Sequence, residues 1–174
     1  RILETVAQDG YRLPGAFATH HHFDHVGGLD ELLKSVDMPV YVHRADAPSV
    51  RLARGTVKPL EEGQAVQVGR LPVMPIHTPG HTPGSQCLLV EGHLLSGDTL
   101  FVRACGRWDL PGGSAAELFE SLVHKLKRLD EATVVCPGHH YAQELTSTIG
   151  EEKRSNPFMQ PGTVQEFLRL AGVA

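Results

Sequence analysis

The sequence predicts a layered α/β protein whose sheet is partly antiparallel. Three features point there. Helix-like and strand-like segments alternate at the start of the chain, hairpin-like strand pairs fill its middle, and alternation returns at its end. Several strands run into loops of one kind: small residues, Gly or Pro, then a metal-type ligand. The length, 174 residues, suits one domain (1–174) with a proper core and is tight for two.

In chain order, Ile2, Leu3 and Val6 form the apolar face of a helix that stops at Gly10. Residues 15–19 read as a short buried strand. Leu29, Leu32, Leu33 and Val36 have helical spacing, and Pro39 closes that segment. Residues 40–43, 65–68 and 73–76 are three more strands. Residues 86–90 and 93–95 flank Glu91-Gly92, a tight-hairpin signal. Ser114-x-x-Glu117 is a capping box opening a helix through Leu118, Leu122, Leu126 and Leu129. Residues 133–136 return to strand. Thr163-x-x-Glu166 caps a last helix carrying Phe167, Leu168 and Leu170.

Composition narrows the function classes. A net charge of -4 argues against a nucleic-acid partner, because phosphate binding leaves a basic footprint. No apolar run approaches the roughly 18 residues of a membrane span. Cys87, Cys105 and Cys136 are far apart and form no C-x-x-C pair, which points to a reducing, cytoplasmic setting. No signal peptide is visible.

Histidine is over-used, with 11 copies. Four segments concentrate the ligand types: THHHFDH (19–25), HTPGHTPGS (77–85), SGDTLF (96–101) and CPGHHY (136–141). His20 and His22 are two apart, so a strand or tight loop lets both reach one ion. Asp24 and His25 follow directly and can bind a second. His81 and His139 can complete one nitrogen set each, and Asp98 can bridge with its two oxygens. Such sites leave a position open for water, as catalytic zinc or iron requires, and His/Asp donors also accept manganese. A lone histidine is more often structural. That reading is kept for His21, pointing away, and for His43, His93 and His124 as surface or strand-end groups. His77 is a candidate partner behind a ligand, and His140 is left open.

The H-x-H-x-D-H pattern with the three further loops resembles the metallo-β-lactamase superfamily, from about residue 16 to 157. The resemblance implies an αββα sandwich of mixed sheets with two divalent ions, zinc first, at one edge. One ion would take His20, His22 and His81; the other Asp24, His25 and His139; Asp98 would bridge. True β-lactamases usually have Cys where Asp98 stands. Within the superfamily the chain is most similar to the glyoxalase II group, the hydroxyacylglutathione hydrolases. Cys105-Gly-Arg107 and His139-His-Tyr141 match that group's loops, which implies substrate-binding roles for Arg107 and Tyr141 on a glutathione conjugate. Asp109 sits where glyoxalase II usually has Tyr, and the tail after His139 is shorter; the structural alternative for Arg107 and Asp109 is a salt bridge that shapes their loop. The resemblance also implies missing N-terminal strands, so the chain is expected to begin inside a longer polypeptide.

The chemistry so implied is hydrolysis of a thioester such as S-lactoylglutathione, or a related ester or lactone, by a metal-bound hydroxide that Asp24 helps to orient. The rival is a mononuclear-iron persulfide dioxygenase, whose Cys-Gly-Arg-x-Asp loop resembles residues 105–109 and whose iron would use His20, His81 and Asp98. A superfamily nuclease is disfavoured by the acidic balance.

Overall fold

The computed structural model describes residues 2–173. Helix α1 (Ile2–Gln8) leads to β1 (Ala16–Phe17), α2 (Phe23–Val26), α3 (Leu29–Ser35), β2 (Pro39–His43) and β3 (Thr56–Leu60). Then come β4 (Val66–Val68), β5 (Leu71–His77), β6 (Gln86–Val90) and β7 (His93–Gly97). A small hairpin, β8 (Leu100–Phe101) with β9 (Ala104–Cys105), precedes α4 (Ala115–Phe119). The chain ends with β10 (Val134–Pro137), β11 (Ser147–Thr148), α5 (Ile149–Ser155) and α6 (Val164–Leu170).

β1, β2 and β3 make a parallel sheet in that order, with α2 and α3 in the crossover from β1 to β2. The larger sheet runs β11-β10-β7-β6-β5-β4 and is antiparallel except at β10–β7. Each sheet buries one face under helices. Cys87, Leu94 and Val135 of the larger sheet pack against Leu118, Leu122, Ile149 and Phe167, all fully buried. Val40 of the smaller sheet packs with Leu33 of α3 and Met38. Each such apolar side chain contributes roughly 1.5–3 kcal/mol on leaving water. The two sheets meet through polar contacts at one end: Gln86 donates from its backbone N to Thr19 O and from Nε2 to Ala18 O, both at 2.9 Å. The outcome is the αββα sandwich of mixed sheets that the resemblance implies.

Among the departures from the sequence reading, three have a clear physical reason. β3 has little apolar alternation; its Lys58 and Pro59 are exposed, as an edge strand allows. Helix α5 opens on a full capping box, in which Thr148 Oγ1 accepts from Glu151 N at 3.2 Å and Thr148 N donates to Glu151 Oε2 at 3.0 Å. Thr148-x-x-Glu151 was legible but lacks a following apolar run. The helix expected from Ser114 through Leu129 begins as α4 and continues as a wider π turn, Glu120–Lys125, and a 3-10 turn, Leu126–Arg128. Its apolar stripe is kept while its pitch is not.

His43 corrects another expectation. It ends β2, as expected, but is only 5% exposed rather than at the surface. Its ring stacks on His77 of β5, with centroids 3.8 Å apart and planes 8° apart. Burial, and then the neighbouring His77, push its pKa down to about 4 from 6.5. The unfolded chain therefore binds a proton between those values that the native state refuses. The contribution to stability is full above pH 6.5, falls as pH drops towards 4, and is constant below. We expect His43→Gln to flatten the pH dependence of urea unfolding in this window by roughly 1–3 kcal/mol, measured with chelator present. An unchanged slope would remove His43 as its source.

Candidate metal centre

The direction of the strands assembles the site. β5 and β7 are both antiparallel to β6, and β10 is parallel to β7, so all three leave the sheet at the same end. Their exit loops carry His81, Asp98 and His139. β1 delivers His20 and His22, followed by α2 with Asp24 and His25. Two glycines permit the close approach. Gly97 has φ of +51° directly before Asp98. A Cβ on Gly138 would lie 2.7 Å from Asp98 Oδ1 and 2.9 Å from His25 Cε1.

All seven expected ligands come together, in three compact groups whose donor atoms lie within 4.8 Å of one another: His20–His22–His81, Asp24–His25–His139 and His20–His25–Asp98. His22 Nδ1 is 2.9 Å from His81 Nε2. His139 Nε2 is 3.2 Å from both His25 Nε2 and Asp24 Oδ2. Asp98 lies between the sets, with Oδ1 3.1 Å from His25 Nε2 and Oδ2 3.3 Å from His139 and 3.7 Å from His81.

The donor set fits cations. His20 is 1% exposed, and its Nε2 has no hydrogen-bond partner among the described residues. Burial, then the charge of His25, push its pKa to about 2, so the ring stays neutral with a lone pair to offer. His81 Nδ1 lies 2.7 Å from Arg107 O; a carbonyl only accepts, so Nδ1 is the donor there and Nε2 is the nitrogen turned towards the other ligands. Burial also lowers the pKa of His22. A hydrogen bond with Asp98 raises that of His25 against the opposing effect of burial. Burial opposes ionisation of Asp98, but its hydrogen bond to His25 and the nearby imidazoles hold its pKa below the usual value. Buried lone pairs aimed at one another are costly unless a cation lies between them.

One residue of the site was missed. Asp46, 1% exposed, accepts from His21 N at 2.9 Å, Thr82 Oγ1 at 2.8 Å and Gly84 N at 2.7 Å. Its Oδ2 is also 2.8 Å from His21 Nδ1. One carboxylate thus ties the 19–25 loop to the 77–85 loop. His21 points away from the ligands, as expected, because Asp46 holds it. The signal was available: Asp46 follows β2 in a loop of Ala, Asp, Ala and Pro, the same grammar as the ligand loops.

His77 stacks on His43 and contacts Pro83 O at 2.9 Å rather than backing a ligand. His93, His124 and His140 are exposed. Arg107 is exposed and paired twice with Asp109, Nε to Oδ1 at 2.9 Å and Nη2 to Oδ2 at 3.0 Å. Tyr141 stacks on His139, with ring centroids 5.4 Å apart. Both line a cavity of about 590 Å³ that opens over His22, Asp24, Asp98 and His139. Among the described residues, no helix is long and apolar enough to cross a membrane. Cys87, Cys105 and Cys136 are free.

Comparison with known proteins agrees with this fold. A family model described as the metallo-beta-lactamase superfamily matches residues 1–139. The chain is 32% identical over 192 residues to a hydroxyacylglutathione hydrolase of Shewanella loihica, covering 92% of this chain and 73% of that one. It is 33% identical to ETHE1 from Myxococcus xanthus, with a TM-score of 0.89 over 99% of this chain and 74% of that one. It is 34% identical to TTHA1623, solved in a di-iron-bound form, with a TM-score of 0.76 over 90% of this chain and 83% of that one.

Proposed function

The chain belongs to the metallo-β-lactamase superfamily, and from that premise we propose that it is a dinuclear metal-dependent hydrolase of the glyoxalase II kind, cleaving a thioester or related ester. The observation that carries this reading is the grouping of donors. His20, His22 and His81 form one set, Asp24, His25 and His139 another, and Asp98 stands between them. The one-iron dioxygenase would use His20, His81 and Asp98. These three do not form one of the compact groups, and that reading leaves His22 idle although it faces His81 at 2.9 Å.

Divalent ions held there, zinc or iron, would supply an acidified water and neutralise charge on the substrate's carbonyl oxygen. The chain's own residues do the rest. Asp24 keeps a 59% exposed side chain on the cavity, placed to orient a water and accept its proton. Arg107 O fixes the tautomer of His81. Tyr141 covers His139 and offers an aromatic face to a small-molecule substrate. A thiolate leaves with little protonation help, so no separate acid is needed. The second reading keeps one supporting observation, the paired Arg107 and Asp109 in the Cys-Gly-Arg-x-Asp loop.

His22→Ala separates the two. We expect it to lose one of two metal ions and to slow thioester cleavage at least about 100-fold. Cleavage would be read on S-lactoylglutathione and on a neutral thioester, beside persulfide-dependent oxygen uptake. Robust oxygen uptake by the wild type, retained in His22→Ala and without thioester cleavage, would overturn the hydrolase.

A further inference from the structure

The cavity over the ligands has an unusual balance for a glutathione site. Glutathione carries two carboxylates against one ammonium, and a free cationic side chain at the mouth gives its carboxylates their strongest hydrogen bonds. Arg107 is the only arginine or lysine among the residues lining this cavity. Its guanidinium is already engaged by both oxygens of Asp109. The preceding arginine in the chain, Arg103, is likewise held by both oxygens of Glu144, each at 2.9 Å. An exposed pair of this kind is weak in itself. It is nonetheless intramolecular, so a ligand carboxylate must compete with a partner fixed two residues away.

The wall beyond the ligands is largely carbon: Phe23, Phe101, Ala104, Leu110, Pro111 and the ring of Tyr141. Phe23 is 84% and Tyr141 71% exposed, so large aromatic surface is left in water at the mouth. Exposed aromatic surface beside a cavity marks an apolar ligand.

We propose that this site selects a neutral, apolar acyl thioester or ester over a glutathione conjugate, and that Asp109 sets the choice by neutralising Arg107. The inference rests on the hydrolase reading for its reaction, but its selectivity can be measured without turnover. Zinc-loaded protein would be titrated calorimetrically with two non-hydrolysable ligands that share one alkyl chain. One is S-hexylglutathione; the other is N-acetyl-S-hexylcysteamine, which has no charge.

The wild type is expected to bind the neutral ligand at least tenfold more tightly. In Asp109→Asn the ratio of the two affinities should move about tenfold towards the glutathione ligand, the size of one hydrogen bond to a charged group. That gain should fade with added salt, since the freed guanidinium is exposed. Equal or tighter wild-type binding of S-hexylglutathione would overturn the proposal, as would a ratio unmoved by Asp109→Asn. If the preference holds while no thioester is cleaved, the hydrolase reading fails and the selectivity stands.

Discussion

Asp98→Ala is expected to remove at least one metal ion per chain and to lower turnover by at least about 100-fold. Asp98 is the carboxylate whose two oxygens reach towards both donor sets. Oδ1 lies 3.1 Å from His25, and Oδ2 lies 3.3 Å from His139 and 3.7 Å from His81. No neighbouring side chain replaces it: Asp24 sits on the cavity side of His139, at 3.2 Å, and serves one set alone. Removing Asp98 would also leave His25 without the hydrogen bond that raises its pKa. Elemental analysis of protein purified without added metal checks the first part, and thioester cleavage the second. Full metal retention in the variant would sink the bridged arrangement.

The second large effect is expected at Asp46, a residue that donates nothing to a metal. Asp46→Ala would leave His21 N and Thr82 Oγ1 without Oδ2, and Gly84 N without Oδ1. Hydrogen bonds to a charged group contribute roughly 1.5–3 kcal/mol each and are not additive, so a loss of about 3–5 kcal/mol in unfolding free energy is expected. Because the same carboxylate joins the loops of His20, His22 and His81, metal affinity should fall by about 10–100-fold. Asp46→Asn should recover only part, since its NH2 must face one of the same donors. Denaturant unfolding and zinc titration read the two effects separately. If the alanine variant keeps its metal affinity, Asp46 is a packing residue and not a support of the site.

The candidate ligands were legible because their chemistry is local. His20, His22, Asp24 and His25 stand within one loop, and His81, Asp98 and His139 each follow a strand through small residues. Helices with a clear apolar stripe were legible for the same reason. Leu118, Leu122 and Leu126 mark their helix although its backbone widens into a π turn.

β3 escaped because an edge strand draws its stability from Val57 and Leu60 pairing with β2 rather than from alternation of its own. The burial of His43 escaped because nothing near it in sequence announces His77, which reaches it only when the two sheets stack. Asp46 wore the same loop grammar as the ligands, but its three donors come from two distant loops.

Sequence alone determined which side chains could bind metal and the fold that such loops accompany, since donor type and loop composition are properties of short segments. Tertiary structure alone decided that Asp46 ties two of the ligand loops and that His43 stacks on His77, and it chose the salt bridge with Asp109 for Arg107. Spacing along the chain does not fix which charge finds which partner. That choice falls to distances of about 3 Å, set only once the strand ends converge.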